Sequence, residues 1–234
     1  QKNRKMQSVR NVTVDDIQNI LPHVKDVRRI DFKGGEPMLA KHHDNFLQWM
    51  IDEGMTDVHL LYTTNGTVQN WRILNLLAQF KNVSLVFSIE GTGTRYSYIR
   101  GGKYPIEQIE SNMARYNELD NVKINFNVTV QNYNLLNLVE LYNLLHEWEA
   151  KYKRVDANSA FTTICNQPNY LSPLNVPDNM RDIALEQLAD IDDFKTLRRS
   201  LTKREFNPEL WQTFIDFTRD LDKMRGDNIL DHCP

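Results

Sequence analysis

The 234-residue chain has the composition of a globular protein, with 41% hydrophobic residues, 25% charged residues and a net charge of -3 at pH 7. This mild acidity argues against a broad nucleic-acid-binding surface. Asn and Glu interrupt the longest apolar runs, such as residues 135–145, so we predict no transmembrane helix, and no signal-peptide pattern is present. Two widely separated cysteines, Cys165 and Cys233, favour a reducing, cytoplasmic setting.

Apolar strands and amphipathic helices alternate along the chain. The first pattern, formed by Ile17, Ile20, Leu21 and Val24, has helical spacing. Strands are then predicted at residues 27–32, 58–62, 83–89, 122–130 and within 155–164. Helices are predicted at 39–52, 71–80, 106–119 and 135–148, with a last helix from Asn207-Pro208 to Gly226. This alternation predicts parallel βαβ units, and hence either a doubly wound sheet or a TIM-type barrel.

Polar, glycine-containing turns follow the first three predicted strands. They read Gly34-Gly35-Glu36-Pro37, Thr64-Asn65-Gly66 and Ser88-Ile89-Glu90-Gly91. The carboxyl ends of parallel strands meet at one edge, where α/β folds bind ligands, so we predict a ligand site there. Paired glycines let the backbone approach a ligand closely. Glu36 either grips an ammonium, a ribose hydroxyl or a metal, or is a helix-start acid favoured by the helix dipole.

These three motifs, with Tyr98-Ile99-Arg100-Gly101-Gly102 after them, resemble the radical S-adenosylmethionine (radical SAM) family from about residue 27 to residue 163. The later motifs are similar to members with a shortened auxiliary-cluster, or twitch, domain. The resemblance implies that residues 1–175 form a partial (β/α)6 TIM-like barrel and residues 176–234 a helical extension that packs on it. It also implies two cofactors, S-adenosylmethionine and a 4Fe–4S cluster, a deoxyadenosyl radical, and a peptide or protein substrate.

The same resemblance implies that adenosylmethionine lies across the strand ends. The site residues that we expect are, in chain order, Gly34, Gly35, Glu36, Pro37, Asn65, Ser88, Glu90, Arg100, Asn127, Thr129 and Thr163. The glycine turn and Glu36 would meet the methionine amino group. Ser88 and Glu90 would lie near the ribose or the methionine carboxylate.

Further along the chain, Asn127 and Thr129 would point into the barrel toward the nucleoside, and the backbone near Thr163 would contact the adenine. Arg100, beside two glycines, either holds a carboxylate or caps its loop. In such a protein the chain supplies a barrel that excludes water and a rigid binding site, because the cofactor carries out the difficult chemistry.

The sequence departs from the family pattern in one respect. The family holds its cluster with three thiolates from a CxxxCxxC loop that precedes the Gly-Gly-Glu-Pro strand. No such motif is present, and Cys165 and Cys233 cannot replace it. The sequence starts at Gln1, without an initiator Met, so we expect a truncated or partly ordered portion of a longer protein. The chain by itself is not expected to perform radical chemistry.

Two other interpretations stay open from the residues alone. One is a barrel that binds adenosylmethionine or a nucleotide as a non-catalytic scaffold without a cluster. The other is a metal-independent α/β enzyme that uses Glu36 and Glu90 as a general acid and base. A metal site at His42-His43-Asp44 is disfavoured, because adjacent side chains diverge on a helix. The basic run at residues 195–204 is typical of a solvated helix face.

Overall fold

The computed structural model describes residues 16, 19–20, 26–158 and 160–233, and this part of the chain contains a parallel α/β sheet. Seven strands are β1 (Arg29–Phe32), β2 (His59–Thr64), β3 (Val83–Ser88), β4 (Val122–Asn127), β5 (Thr129–Val130), β6 (Val155–Asp156) and β7 (Thr163–Ile164). Five of them form a sheet in the order β1-β2-β3-β4-β6, and β5 pairs with β7 in a separate ladder. All these pairings are parallel.

Eight α-helices complete the described fold. They are α1 (His43–Asp52), α2 (Trp71–Leu77), α3 (Gly93–Arg100), α4 (Ile106–Asn117), α5 (Leu138–Lys151), α6 (Asp178–Gln187), α7 (Lys195–Thr202) and α8 (Pro208–Arg225). Helices connect the parallel strands as βα units require. None of the described helices has the length and apolar character needed to cross a bilayer.

The two faces of the sheet differ in burial. Along β2 and β3, buried residues alternate with half-buried ones. The fully buried set, including Leu60, Tyr62, Leu85 and Phe87, belongs to one core cluster with apolar residues of α1, α2 and α4. Because side chains alternate between faces, the half-buried residues share the opposite, open face. Helices therefore cover one face, and the other offers polar groups to a ligand.

Closure into a barrel is not seen among the described strands. In the five-stranded sheet, β1 and β6 are the edges, and β5 and β7 form their own ladder. The α/β class with a parallel sheet is confirmed, whereas the (β/α)6 barrel stays a prediction. The domain boundary at residue 175 also stays a prediction; after it, Ala184, Leu197 and Leu201 are buried in the main core cluster.

Several predicted boundaries are wrong. The helix predicted at 39–52 begins at His43, because Pro37–Leu39 forms a 3-10 turn and His42 adopts a left-handed φ of 66°. The single strand predicted at 122–130 is interrupted at Val128, whose N–H donates to the Ala160 carbonyl. Within 155–164, two short strands replace the one that was predicted.

Other predicted helix ends are confirmed. The Asn207 side chain accepts a hydrogen bond from Leu210 N, Pro208 opens α8, and Gly226 ends it with a φ of 65°. Gly54, at φ 72°, follows the end of α1 as predicted. For the first predicted helix, only Ile20 of its four apolar residues lies within the described ranges.

Gly66, after β2, is expected to tolerate no side chain. A Cβ there would lie 2.7 Å from the Phe87 ring and 2.9 Å from Ile109 Cγ2, at a φ of +73°. We expect Gly66→Ala to lower the free energy of unfolding by about 3 kcal/mol through overpacking and backbone strain.

Gly54→Ala is the matched control, because Gly54 has a φ of +72° but open space around its Cβ position. Its expected cost is the backbone term alone, about 1 kcal/mol. Urea unfolding of both variants measures the difference in their free energies of unfolding. Equal losses would show that overpacking against Phe87 adds nothing to the cost of Gly66→Ala.

Candidate functional site

The predicted site residues gather at the carboxyl edge of the sheet. Thr64, the last residue of β2, is in register with Phe87 of β3, so Asn65 and Ser88 come next to each other at the strand ends. Ser88 is in turn in register with Asn127 of β4. Parallel pairing thus brings the polar ends of β2, β3 and β4 side by side.

Glu36 is held in place by the neighbouring strand. Its two carboxylate oxygens accept hydrogen bonds from the Thr64 hydroxyl at 2.9 Å each, and one also accepts from Asn65 N at 2.8 Å. Met38 N donates to the same carboxylate at 3.2 Å, so Glu36 also caps the 3-10 turn that Pro37 opens. It is therefore a helix-start acid whose carboxylate is fixed at the sheet edge.

Thr64 is the residue that orients this carboxylate. It is almost fully buried, and its hydroxyl accepts a hydrogen bond from Gly66 N at 3.0 Å. With that bond made, the hydroxyl proton is directed to Glu36. The sequence placed Thr64 in a strand-end motif, but gave no sign that its partner is a residue 28 positions earlier.

The Gly34-Gly35 turn lies exposed beside Glu36. Both residues have positive φ, 90° and 53°, and a Cβ at either position would meet nothing within 4 Å. The turn opens on a cleft of about 340 Å³ that extends along α1. Its lining includes Asp31, Phe32, Lys33, Gly34, Glu36 and Pro37, with Ala40, Lys41, His42, His43 and Phe46 beyond them.

A second group forms where β3 ends. The Arg100 guanidinium forms an ion pair with Glu90, with Nε 2.6 Å from a carboxylate oxygen, and donates from Nη2 to the Ser88 carbonyl at 2.6 Å. The side chain of Glu90 is 8% exposed, and this burial raises its pKa, although Arg100 and the backbone of Thr129 act in the opposite direction. Arg100 is thus paired with a carboxylate of the chain itself, and its contact with a ligand stays a prediction.

The remaining predicted residues adjoin this group. The Thr163 hydroxyl donates to Asn127 Oδ1 at 3.0 Å, and Thr129 is in register with Thr163 in the small ladder. Asn127 and Thr129 are half-buried, whereas Thr163 is exposed. These three side chains thus continue the polar edge from β4 to β7.

Asn134 is a site-supporting residue that the sequence analysis missed. Its side-chain amide is fully buried and donates to the Glu90 carbonyl at 2.9 Å and to the Thr129 carbonyl at 3.0 Å. It therefore bridges the ends of β3 and β5. A lone Asn before an apolar helix gives no signal of this kind, because the contact spans 44 residues to Glu90.

Two groups are therefore present, one around Glu36 and one around Glu90. Within the described residues, no hydrogen bond joins them; the sheet edge alone sets their relative position. Glu36 and Glu90 thus belong to separate hydrogen-bonding groups, and Glu90 is paired with a cation. The edge thus presents a carboxylate acceptor at Glu36 and a guanidinium donor at Arg100.

The residues present do not fit an iron–sulfur cluster. The whole sequence has two cysteines, and such clusters need three or four thiolates. Across the described ranges, no group of three His, Cys, Asp or Glu side chains is placed to hold a metal ion. At the discounted His42-His43 pair, His43 is buried and bonded to the Tyr62 hydroxyl at 2.9 Å, while His42 is exposed.

No family model and no curated protein matches this chain. Among solved structures, it is similar to Streptococcus suis SuiB bound to S-adenosylmethionine (16% identity, TM-score 0.48, 76% of this chain and 41% of that one). It is also similar to SuiB bound to the precursor peptide SuiA (18%, 0.48, 82% and 40%) and to TYW1 with a lysine-pyruvate adduct bound (16%, 0.38, 59% and 43%).

The chain thus spans about two fifths of the length of these proteins. Every TM-score is below 0.5 and every identity is below 20%, so none of these likenesses assigns a function to this chain.

His43 makes stability near the cleft depend on pH. Burial lowers the pKa of His43 from 6.5 to about 4, with Asp44 opposing this slightly. Between about pH 6.5 and pH 4, His43 is therefore protonated in the unfolded chain but neutral in the folded protein. Its contribution to the free energy of unfolding is complete above pH 6.5 and decreases below it. We expect a loss of about 2 kcal/mol at pH 5 from this group.

Urea unfolding at a series of pH values measures this loss. In His43→Gln the part of the slope due to this group should vanish, whatever the variant's stability at neutral pH. His59→Gln is the control, since His59 is half-buried and bonded to Ser84 Oγ at 2.8 Å. A slope unchanged by His43→Gln would contradict the assignment.

Proposed function

We propose that the carboxyl edge of β1 to β4 binds S-adenosylmethionine, and that this chain is the cofactor-binding part of a radical SAM protein of the twitch type. The observation that carries the proposal is the fixed Glu36 carboxylate, held by Thr64 and Asn65 directly beside an exposed two-glycine turn. A carboxylate in that position suits an ammonium group, and an open glycine backbone lets the ligand come close.

The two charged groups on the methionine Cα would each contact one group of the site. Glu36 would accept from the ammonium, using acceptor positions that the protein donors leave free, since a carboxylate has about four lone-pair sites. Arg100 would donate to the carboxylate, because its guanidinium has N–H groups beyond those directed at Glu90 and Ser88. The sulfonium would lie further along the methionine chain, on the side of the nucleoside.

The nucleoside would lie further along the same edge. Ser88, Asn127 and Thr129 occupy the half-buried, open face, where hydroxyl and amide groups can bond ribose oxygens. The adenine would reach the short β5-β7 ladder, beside Thr163. Asn134 would keep the ends of β3 and β5 together while the ligand binds.

Radical generation is not proposed for this chain alone, since its two cysteines, Cys165 and Cys233, do not provide the three-thiolate set that a cluster needs. Cluster binding, the deoxyadenosyl radical and a peptide or protein substrate are proposed only for a protein in which the missing thiolates are supplied from elsewhere. Binding of adenosylmethionine is what this sequence can be tested for directly.

A second candidate is a metal-independent enzyme that uses Glu90 as a general acid. The observation in its favour is that burial raises the pKa of Glu90. Its ion pair with Arg100 weighs against it, because the cation stabilises the ionised form. Turnover without iron that disappears in Glu36→Gln, together with absent adenosylmethionine binding, would favour this candidate over the first.

Glu36→Gln is expected to weaken adenosylmethionine binding by about tenfold or more, because the charge-assisted bond to the ammonium is lost while the shape is kept. Isothermal titration calorimetry on this chain measures the affinity. Glu53→Gln, an exposed acid at the end of α1, is the control and should bind as the unaltered chain does. Equal affinity of Glu36→Gln and Glu53→Gln would contradict the role of Glu36.

Arg100→Gln is expected to weaken adenosylmethionine binding by about tenfold and to leave the decarboxylated analogue little affected. The reason is that only the former carries the carboxylate that Arg100 would contact. Arg72→Gln, which removes an exposed pair with Asp44, is the control for loss of a cation. A similar loss for both ligands would show that Arg100 supports the site without contacting the carboxylate.

A further inference from the structure

Helix α3, which ends at Arg100, lies between two apolar clusters. Tyr96 is 1% exposed and belongs to the main core beneath the sheet. Tyr98, 2% exposed, belongs to a second cluster with Tyr133 and Phe214, the latter from α8. Two residues apart on a helix point in different directions, so α3 is clamped from both sides. Its position therefore depends on the C-terminal part of the chain.

Residues 222–233, which we call the latch, bind the C-terminal end of α3. The Tyr98 hydroxyl donates to Asp222 Oδ1 at 2.7 Å, and Ile229 N donates to the other Asp222 oxygen at 3.2 Å. The Arg225 guanidinium donates to the Tyr98 carbonyl at 2.8 Å and lies over the Tyr98 ring, 5.8 Å from its centroid. The latch thus holds both the side chain and the backbone of Tyr98.

The end of the latch also reaches the first turn of α3. Arg95 Nε donates to the His232 carbonyl at 3.3 Å and to Cys233 Sγ at 3.1 Å. The His232 ring stacks on Tyr98 at 5.2 Å between centroids. Contacts at both ends of an eight-residue helix restrain its translation and its rotation.

The restraint on α3 also limits the movement of Arg100. It is the last residue of α3, two positions after Tyr98, and residues 101–105 beyond it are all exposed. The following loop therefore contributes little packing that could fix Arg100. Its guanidinium nevertheless has two contacts of 2.6 Å, an ion pair with Glu90 and a hydrogen bond to the Ser88 carbonyl. A backbone held in one place favours keeping both contacts at once.

We propose that the latch positions Arg100 for the ligand, so that Tyr98 and Asp222 are positioning residues for adenosylmethionine binding although both belong to the C-terminal cluster and not to the sheet edge. This inference rests on the proposed function for its ligand. Loss of the Tyr98–Asp222 bond lets α3 shift, which weakens the hold on Arg100 and hence the contact with the ligand carboxylate.

Tyr98→Phe tests the inference, with Tyr133→Phe as its matched control. Both substitutions remove one buried hydroxyl from the same cluster, but the Tyr133 hydroxyl bonds Thr218 of α8 at 2.8 Å, whereas the Tyr98 hydroxyl bonds Asp222 of the latch at 2.7 Å. We expect Tyr98→Phe to weaken adenosylmethionine binding about fivefold and Tyr133→Phe to leave it unchanged. In an Arg100→Gln background, Tyr98→Phe should have no further effect, since it acts through Arg100.

The hold on Arg100 is also measured without ligand, by hydrogen exchange of its Nε–H in NMR spectra. Exchange should be about fivefold faster in Tyr98→Phe than in Tyr133→Phe. Unchanged exchange, equal effects of both variants, or additive effects with Arg100→Gln would overturn the latch. If the unaltered chain binds no adenosylmethionine, the proposed function fails, and the Nε–H exchange alone decides whether the latch positions Arg100.

Discussion

The alternation of burial along β2, β3 and β4 is the constraint on which the rest of the structure depends. One face of these strands packs Leu60, Leu85 and Ile124 into a fully buried core, which fixes the register of the parallel ladder. A shift by one residue would turn this whole apolar set to the open face, so the register has no close competitor. Because the register is fixed, the polar residues at the strand ends are placed at fixed positions along the carboxyl edge of the sheet.

Each charged group at the edge is then held by its own set of donors. Glu36 depends on Thr64 and two backbone N–H groups, whereas Glu90 depends on Arg100. Hydrogen-bond donors that are already in place before a ligand binds reduce the conformational entropy that is lost on binding. The glycine turn at Gly34 has the opposite property, since open space surrounds it and both φ values are positive. The edge thus combines a rigid set of charges with one open approach to the backbone.

Local signals in the sequence predicted the elements whose causes are themselves local. Strand positions follow from apolar runs, and α8 follows from Asn207, its N-cap, and Gly226, its C-cap. The interruption at Val128 was not predicted, because it arises from a bond to the distant Ala160 carbonyl. The role of Asn134 was also not predicted. Its local sequence looks like that of any loop residue, and it acts by binding two carbonyls that only the folded chain brings together. Motif resemblance predicted the site residues, but could not identify the residues that hold them in place.

Arg100 shows why the residues that hold a site matter as much as those that touch a ligand. Glu90 is nearly buried, and a buried carboxylate without a partner is costly, so the pair with Arg100 has a structural role before any ligand binds. The guanidinium can keep this bond and still offer further N–H groups, since its donors spread in a planar fork. A ligand carboxylate would therefore join the pair instead of displacing Glu90, and the resulting triad would carry one net negative charge beside a cationic sulfonium. To contact Glu90 and a ligand carboxylate together, the Arg100 guanidinium has to stay in one orientation. The exposed loop at residues 101–105 cannot hold it there. The restraint has to come from the last turn of α3 itself, two residues before Arg100, where Tyr98, Asp222 and Arg225 meet.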